Sequence, residues 1–124
     1  MDRTILLEAE WCFYEGIKKP SAKGGFFKKY VSLPLQSDSA FTLVRKIICP
    51  KQVNDTVTVY FTGDFTELKV YAGKKLLVPV KNENGNAIYD ITPSLKTGKT
   101  FILATASKGS AEGFYLSVKR NYDV

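Results

Sequence analysis

Apolar side chains recur at every second position almost throughout this chain, and no segment of helical length shows a 3.6-residue period. Val57, Val59 and Phe61 alternate with Thr56, Thr58 and Tyr60. Leu68 and Val70 alternate with Lys69 and Tyr71, and Phe114, Leu116 and Val118 with Tyr115, Ser117 and Lys119. Successive side chains of a strand point to opposite faces, so each segment predicts a strand with one face in a core and one toward solvent. Residues 26–33 and 41–49 read as two more strands. The second carries Arg45 and Lys46 mid-run, and Arg45, set between Val44 and Ile47, is either a structural arginine paired with a carboxylate, the reading its mid-strand place favours, or a contact residue. Residues 101–106 are apolar in both phases, as in a central or doubly covered strand.

Turn signals separate these runs: Lys23-Gly24-Gly25, Pro34, Pro50, Gly63-Asp64, Ala72-Gly73-Lys74, Asn84-Gly85, Thr97-Gly98 and Lys108-Gly109-Ser110. Their spacing of about 8–15 residues predicts an all-β sandwich or barrel. Only the segment from Thr92 to Lys96 reads as helical, one short turn with Thr92 as cap and Pro93 at its first position. No repeat, linker or low-complexity tract interrupts the 124 residues. The expectation is a single domain over residues 1–124, an antiparallel β-sandwich of eight or nine strands. A chain of that length buries roughly two-thirds of its unfolded surface around one core.

Composition narrows the chemistry. The chain has no histidine, which removes His-based triads, His general bases and most zinc sites. Cys12 and Cys49 each sit in an apolar run, and neither belongs to a C-x-x-C pair. Buried thiols are expected, with a disulfide only if the strands holding them are neighbours. The carboxylates Asp38, Asp55, Asp64, Glu67, Glu83, Asp90 and Glu112 are scattered singly, whereas glycoside hydrolysis needs two of them about 5–9.5 Å apart. Asp64 and Glu67 read as a solvated turn. Gly98-Lys99-Thr100 ends like a phosphate-binding loop, but the earlier glycine position holds Pro93. No loop gathers the oxygens that calcium takes, although Asp64, Asp90 or Glu112 could supply some, so neither metal nor cofactor is expected.

The net charge of +6 divides evenly, with nine basic and six acidic residues on each side of Thr62. A nucleic-acid binder gathers its cations on one face or arm, so nucleic acid is disfavoured as a partner. The lysine pairs read as solubilising charges and as guards of sheet edges. No run approaches the ~20 apolar residues of a membrane span. Only three consecutive apolar residues precede Glu8, short of the about 7–15 of a secretory signal. This leads to the expectation of a chain that is cytoplasmic, belongs to a larger particle released by lysis, or is a mature or cloned fragment, with the location itself left open.

The ordered segments resemble the N-terminal jelly-roll domain, the sugar-binding or galactose-binding-like domain, of glycoside hydrolase family 2 enzymes. Leu7-Glu8-Ala9-Glu10-Trp11-Cys12-Phe13 is similar to the family's L-x-G-x-W-x-F start, with alanine for glycine. Val31-Ser32-Leu33-Pro34 and Leu43-Val44-Arg45-Lys46 resemble its V-x-L-P and Y-R-K segments. Tyr60-Phe61-Thr62-Gly63, then Leu68 to Lys74, resembles x-F-x-G … a-x-V-x-x-N-G-K, with Ala72 at the asparagine. Tyr89-Asp90-Ile91-Thr92, Leu95 and Gly98-Lys99 resemble F-D-I-T … L-x-x-G-x-N, and Gly113-Phe114-Tyr115 with Val118 resembles the closing strand, with Leu116 where arginine is common. The resemblance implies a jelly-roll fold, and an Asp90 that hydrogen-bonds turn backbone beside Thr92. It also implies that catalytic carboxylates belong to a separate barrel domain outside these residues, leaving Glu112 nothing to complete.

Carbohydrate recognition uses aromatic rings as platforms for sugar C–H faces, with amides and hydroxyls nearby. Tyr60, Tyr71 and Tyr115 occupy the polar phase of their strands and are expected to face outward. Asn84, Asn86 and Tyr89 lie in or beside the most ligand-like loop. The sequence thus reads as a non-catalytic module for a glycan or glycosylated surface, with these six as candidate contacts. The alternative is a structural or decorating component of a larger assembly, such as a phage capsid or tail accessory protein, whose partners are other protein chains.

Overall fold

The structure, a computed structural model, describes residues 3–17, 30–49, 54–83, 86–95 and 98–120. Twelve strands form among them: β1 (Arg3–Leu6), β2 (Trp11–Glu15), β3 (Tyr30–Val31), β4 (Leu35–Ser37), β5 (Phe41–Ile48) and β6 (Asp55–Thr66), then β7 (Lys69–Ala72), β8 (Lys75–Leu76), β9 (Lys81–Glu83), β10 (Asn86–Asp90), β11 (Lys99–Ala106) and β12 (Lys108–Arg120). The front sheet has the order β1-β12-β6-β10-β9, with β4 also on β12. The back sheet has the order β3-β2-β5-β11-β7-β8. Every pairing is antiparallel. The result is an antiparallel β-sandwich of the jelly-roll type. Its strand count exceeds the expected eight or nine because β3, β4, β8 and β9 are ladders of only two or three residues, too short to show a period.

The alternation in β6 becomes burial: Val57, Val59 and Phe61 are fully buried between the sheets, while Thr56, Thr58 and Tyr60 lie on the outer face. Trp11 of the back sheet reaches across to Phe114 and Phe61 of the front sheet, with ring centroids 5.0 and 5.8 Å away. Phe61 and Phe114 meet edge-on at 4.6 Å. The indole N–H donates to the Leu7 carbonyl at 3.0 Å, so the core takes the ring without stranding its polar atom. As its two-phase apolarity suggested, β11 is central, between β5 and β7.

Two turn signals fall inside strands instead of ending them. β6 runs through Gly63-Asp64 to Thr66, and β12 already begins at Lys108. The reason is a shared corner. After Thr66 and before Lys108 both chains cross to the back sheet, where β7 and β11 continue as neighbours. Only Ser107 separates β11 from β12, its N–H donating to the Thr66 carbonyl at 2.9 Å. The bend is absorbed by a bulge at Glu112, where the register slips between Ala111 and Gly113. Gly63 at φ 156° and Gly109 at φ 142° let the two backbones close up. A Cβ on either would overlap the facing carbonyl oxygen, of Ser110 or Asp64.

The short helix is a 3-10 turn, Thr92–Ser94, with Pro93 in its first positions. Asp90 accepts the Thr92 N–H at 2.9 Å, the turn contact that the resemblance implied. Thr92 is not the cap. Its hydroxyl accepts the Val57 N–H at 2.8 Å and donates to the Val57 carbonyl at 3.2 Å, extending the β6 ladder past the end of β10.

Candidate functional site

The outer face of the front sheet is built by register. The pairings Ile88↔Tyr60, Tyr60↔Tyr115 and Tyr115↔Leu6 set four side chains in one row across β10, β6, β12 and β1. On one side Asp90, Thr58, Ser117 and Thr4 form a parallel row. On the other, Thr62 pairs with Gly113, and Asn86 precedes Ala87 in the outward phase. Tyr60 and Tyr115 are half-buried, with ring centroids 5.7 Å apart and planes tilted by 42°. A Cβ on Gly113 would stand 3.2 Å from Cε2 and 3.5 Å from the hydroxyl of Tyr115. The Tyr115 ring therefore lies down along its own strand, over the space that glycine leaves. The pair forms a low aromatic platform bordered by hydroxyls, and Thr4 and Ser117 are 3.5 Å apart at its far side.

Of the six candidate contacts, the structure brings Asn86, Tyr60 and Tyr115 together. Tyr71 faces out from the back sheet in register with Leu103 and Leu76, on the opposite side of the sandwich. Tyr89 is 3% exposed and belongs to the core, which corrects its reading as a loop-side contact. It shares the inward phase of Ala87 and Ile91, and burial raises its phenol pKa above the ordinary value. Asn84 lies outside the described residues. Sequence reasoning missed Thr58, Thr62, Ser117 and Thr4 as neighbours of the platform. Their outward phase was legible, but the register that sets them beside the tyrosines was not.

Two hollows lie elsewhere. One, of about 600 Å³, is on the back sheet and lined by Glu10, Cys12, Tyr30, Val44, Lys46 and Phe101 along with Arg45. The other, of about 410 Å³, opens between the sheets beside β7 and β10, lined mainly by Phe65, Leu68, Leu77, Val78 and Tyr89. Arg45 is structural. It donates to the carbonyls of Ala9 at 2.9 Å and Lys46 at 3.0 Å, with Glu10 at 3.9 Å. β2 and β5 are neighbours, yet Cys12 registers with Val44, which leaves Cys49 five residues along, roughly 17 Å away, and no disulfide joins them. Among the described residues, no group of three His, Cys, Asp or Glu side chains could hold a metal, and no helix is long and apolar enough to cross a membrane.

No protein-family model matches the chain, and no curated protein matches it in sequence. Solved structures do match in fold. A Bacteroides uniformis β-glucuronidase 2, covalently bound to cyclophellitol-6-carboxylate aziridine, superposes on 98% of this chain and 18% of its own, at 12% identity and a TM-score of 0.81. A glycosyl hydrolase family 2 member from Bacteroides cellulosilyticus matches 95% of this chain and 21% of its own, at 12% identity and a TM-score of 0.78. A β-glycosidase from Bacteroides vulgatus covers 95% and 20%, at 19% identity and a TM-score of 0.75. The chain thus spans about a fifth of the length of each. It resembles, in fold, a domain-sized portion of family 2 glycoside hydrolases.

Proposed function

We propose that this chain is a non-catalytic carbohydrate-binding module, folded as a single domain, that takes its ligand on the outer face of the front sheet. The observation that carries the reading is the Tyr60–Tyr115 pair, half-buried, with the Tyr115 ring laid over Gly113. Half-buried rings keep a face for the C–H side of a sugar, and the flanking Asn86, Thr58, Thr62 and Ser117 supply donors and acceptors for its hydroxyls. The fold neighbours named as glycosidases favour a sugar over other partners. With one shallow platform, affinity per site is weak and grows by multivalency. On a glycan array the chain gives signals that vanish in Tyr60→Ala and Tyr115→Ala variants whose circular dichroism is native. A blank array across a broad panel sinks the reading. Aryl glycosides are not hydrolysed above the buffer rate.

The second reading, a structural component of a larger assembly, draws on a different feature. Leu76, Val78 and Val80 run along the open edge of the sandwich at 52, 80 and 65% exposure, an apolar ridge suited to another protein. It requires stoichiometric co-purification with a particle, lost when Val78 becomes aspartate.

A further inference from the structure

From the front-sheet face we infer a narrower ligand class than a glycan in general: an extended, uncharged oligosaccharide lying across several strands. This rests on the reading above and adds both shape and charge to it. The central row crosses four adjacent strands, from Ile88 through Tyr60 and Tyr115 to Leu6. Three strand spacings make it roughly 14 Å long, which is the reach of a short oligosaccharide and not of one sugar ring. Among the described residues, the face is built from strand side chains. The Tyr115 ring lies low against Gly113, and the Tyr60 ring stands 5.7 Å from it with the planes at 42°. A single sugar would therefore bury only one side and bind poorly, while a chain of sugars adds contacts along the row.

The rows on either side are polar but uncharged where they flank the rings: Thr62 and Asn86 on one side, Thr58, Ser117 and Thr4 on the other. Hydroxyl and amide groups donate and accept, as sugar hydroxyls require. The charges stand at the margins. Asp90 ends one row, exposed Asp64 and Glu112 lie toward the corner, and Lys119 lies one row beyond Ser117. Among the described residues, a sugar carboxylate laid on the tyrosines would lose water with no cation beside the rings, and Asp90, Asp64 and Glu112 at the margin would repel it.

Titration calorimetry with soluble oligosaccharides tests this, using neutral glucose-, xylose- and mannose-based hexasaccharides, the matching disaccharides, and oligogalacturonate of equal length. The expected result is binding of at least one neutral series, about ten-fold or more tighter for the hexasaccharide than for its disaccharide and indifferent to sodium chloride. Tyr60→Ala and Tyr115→Ala each lower it about ten-fold, the worth of one lost ring contact. Tyr60→Phe, which keeps the ring, retains most of it. Gly113→Ala, whose methyl group would meet Thr62 Oγ1 at 3.0 Å and the Tyr115 ring at 3.2 Å and so disturb the platform, weakens it several-fold and serves as a check should the alanine variants unfold. Tighter binding of oligogalacturonate, falling with salt, overturns the uncharged-ligand inference and leaves the glycan reading standing. Equal affinity for disaccharide and hexasaccharide overturns the extended footprint. No binding of any member overturns both this inference and the reading it rests on.

Discussion

Replacing Thr92 by valine tests whether a side chain completes the sandwich where the backbone ladder stops. β10 leaves β6 after the pair Asp90↔Thr58, and the next β6 amide, of fully buried Val57, donates to the Thr92 hydroxyl at 2.8 Å. Valine has the shape of threonine but no acceptor. The buried N–H is then left without a partner, at a cost of about 1–3 kcal/mol. The Val57 carbonyl still accepts from the Ile91 N–H at 3.0 Å, so only the donor is stranded. Thr92→Ser keeps the hydroxyl and loses one methyl group, worth at most about 0.8 kcal/mol. Urea denaturation followed by tryptophan fluorescence measures both variants. The m-value is expected to stay constant, and valine to lose about 2 kcal/mol, near 1 M in midpoint for a typical m-value. In a thermal scan that loss amounts to roughly 8 °C for a domain of this size. If Thr92→Val proves as stable as Thr92→Ser, the hydroxyl contributes nothing and the account of the ladder's end is wrong.

Three further outcomes follow from the same structure. Gly63→Ala and Gly109→Ala each lose about 2–4 kcal/mol, because a methyl group there meets facing backbone. Gly73→Ala, whose nearest neighbour would be Thr100 Oγ1 at 4.0 Å, loses only about 1 kcal/mol, so equal losses at the three sites would refute the corner argument. Burial holds the Tyr89 phenol above its ordinary 10.0. The folded chain therefore keeps that proton longer than the unfolded one, and the contribution, complete below the unfolded value, is lost as pH rises past it. Urea midpoints should fall above about pH 10, and less steeply in Tyr89→Phe; parallel pH profiles would contradict this. A thiol reagent should label half-exposed Cys12 in the native chain and buried Cys49 only after unfolding. Equal labelling rates, or a mass two hydrogens short, would show the two cysteines wrongly placed.

Much of the fold was legible because alternation and burial are the same fact in a two-layer sheet protein. Val57, Val59, Phe61, Phe114 and Leu116 all lie inside, as their phase required. Tyr60, Tyr71 and Tyr115 all face outward for the same reason. Glycine was the misleading signal. Gly63 and Gly109 look like strand ends, yet they sit inside the two longest strands, since a chain that turns a corner within a ladder also needs a residue without a side chain. Tyr89 was misread because the polar loop before it hid its phase, which continues through Ala87 and Ile91.

From local order alone the chain determines that it forms strands, which side of each strand is apolar, and where a turn such as Thr92–Ser94 falls. Those properties belong to a residue and its near neighbours. Which tyrosines meet is another matter. Tyr60 and Tyr115 are far apart in the chain and adjacent in space, while Tyr71, closer to Tyr60 in sequence, ends on the opposite face. That choice is made by the Glu112 bulge and by the shared crossing at Thr66 and Ser107, which set register and sheet for everything beyond them. A strand shows its own phase, whereas the partner it lies against is decided only when the whole core closes.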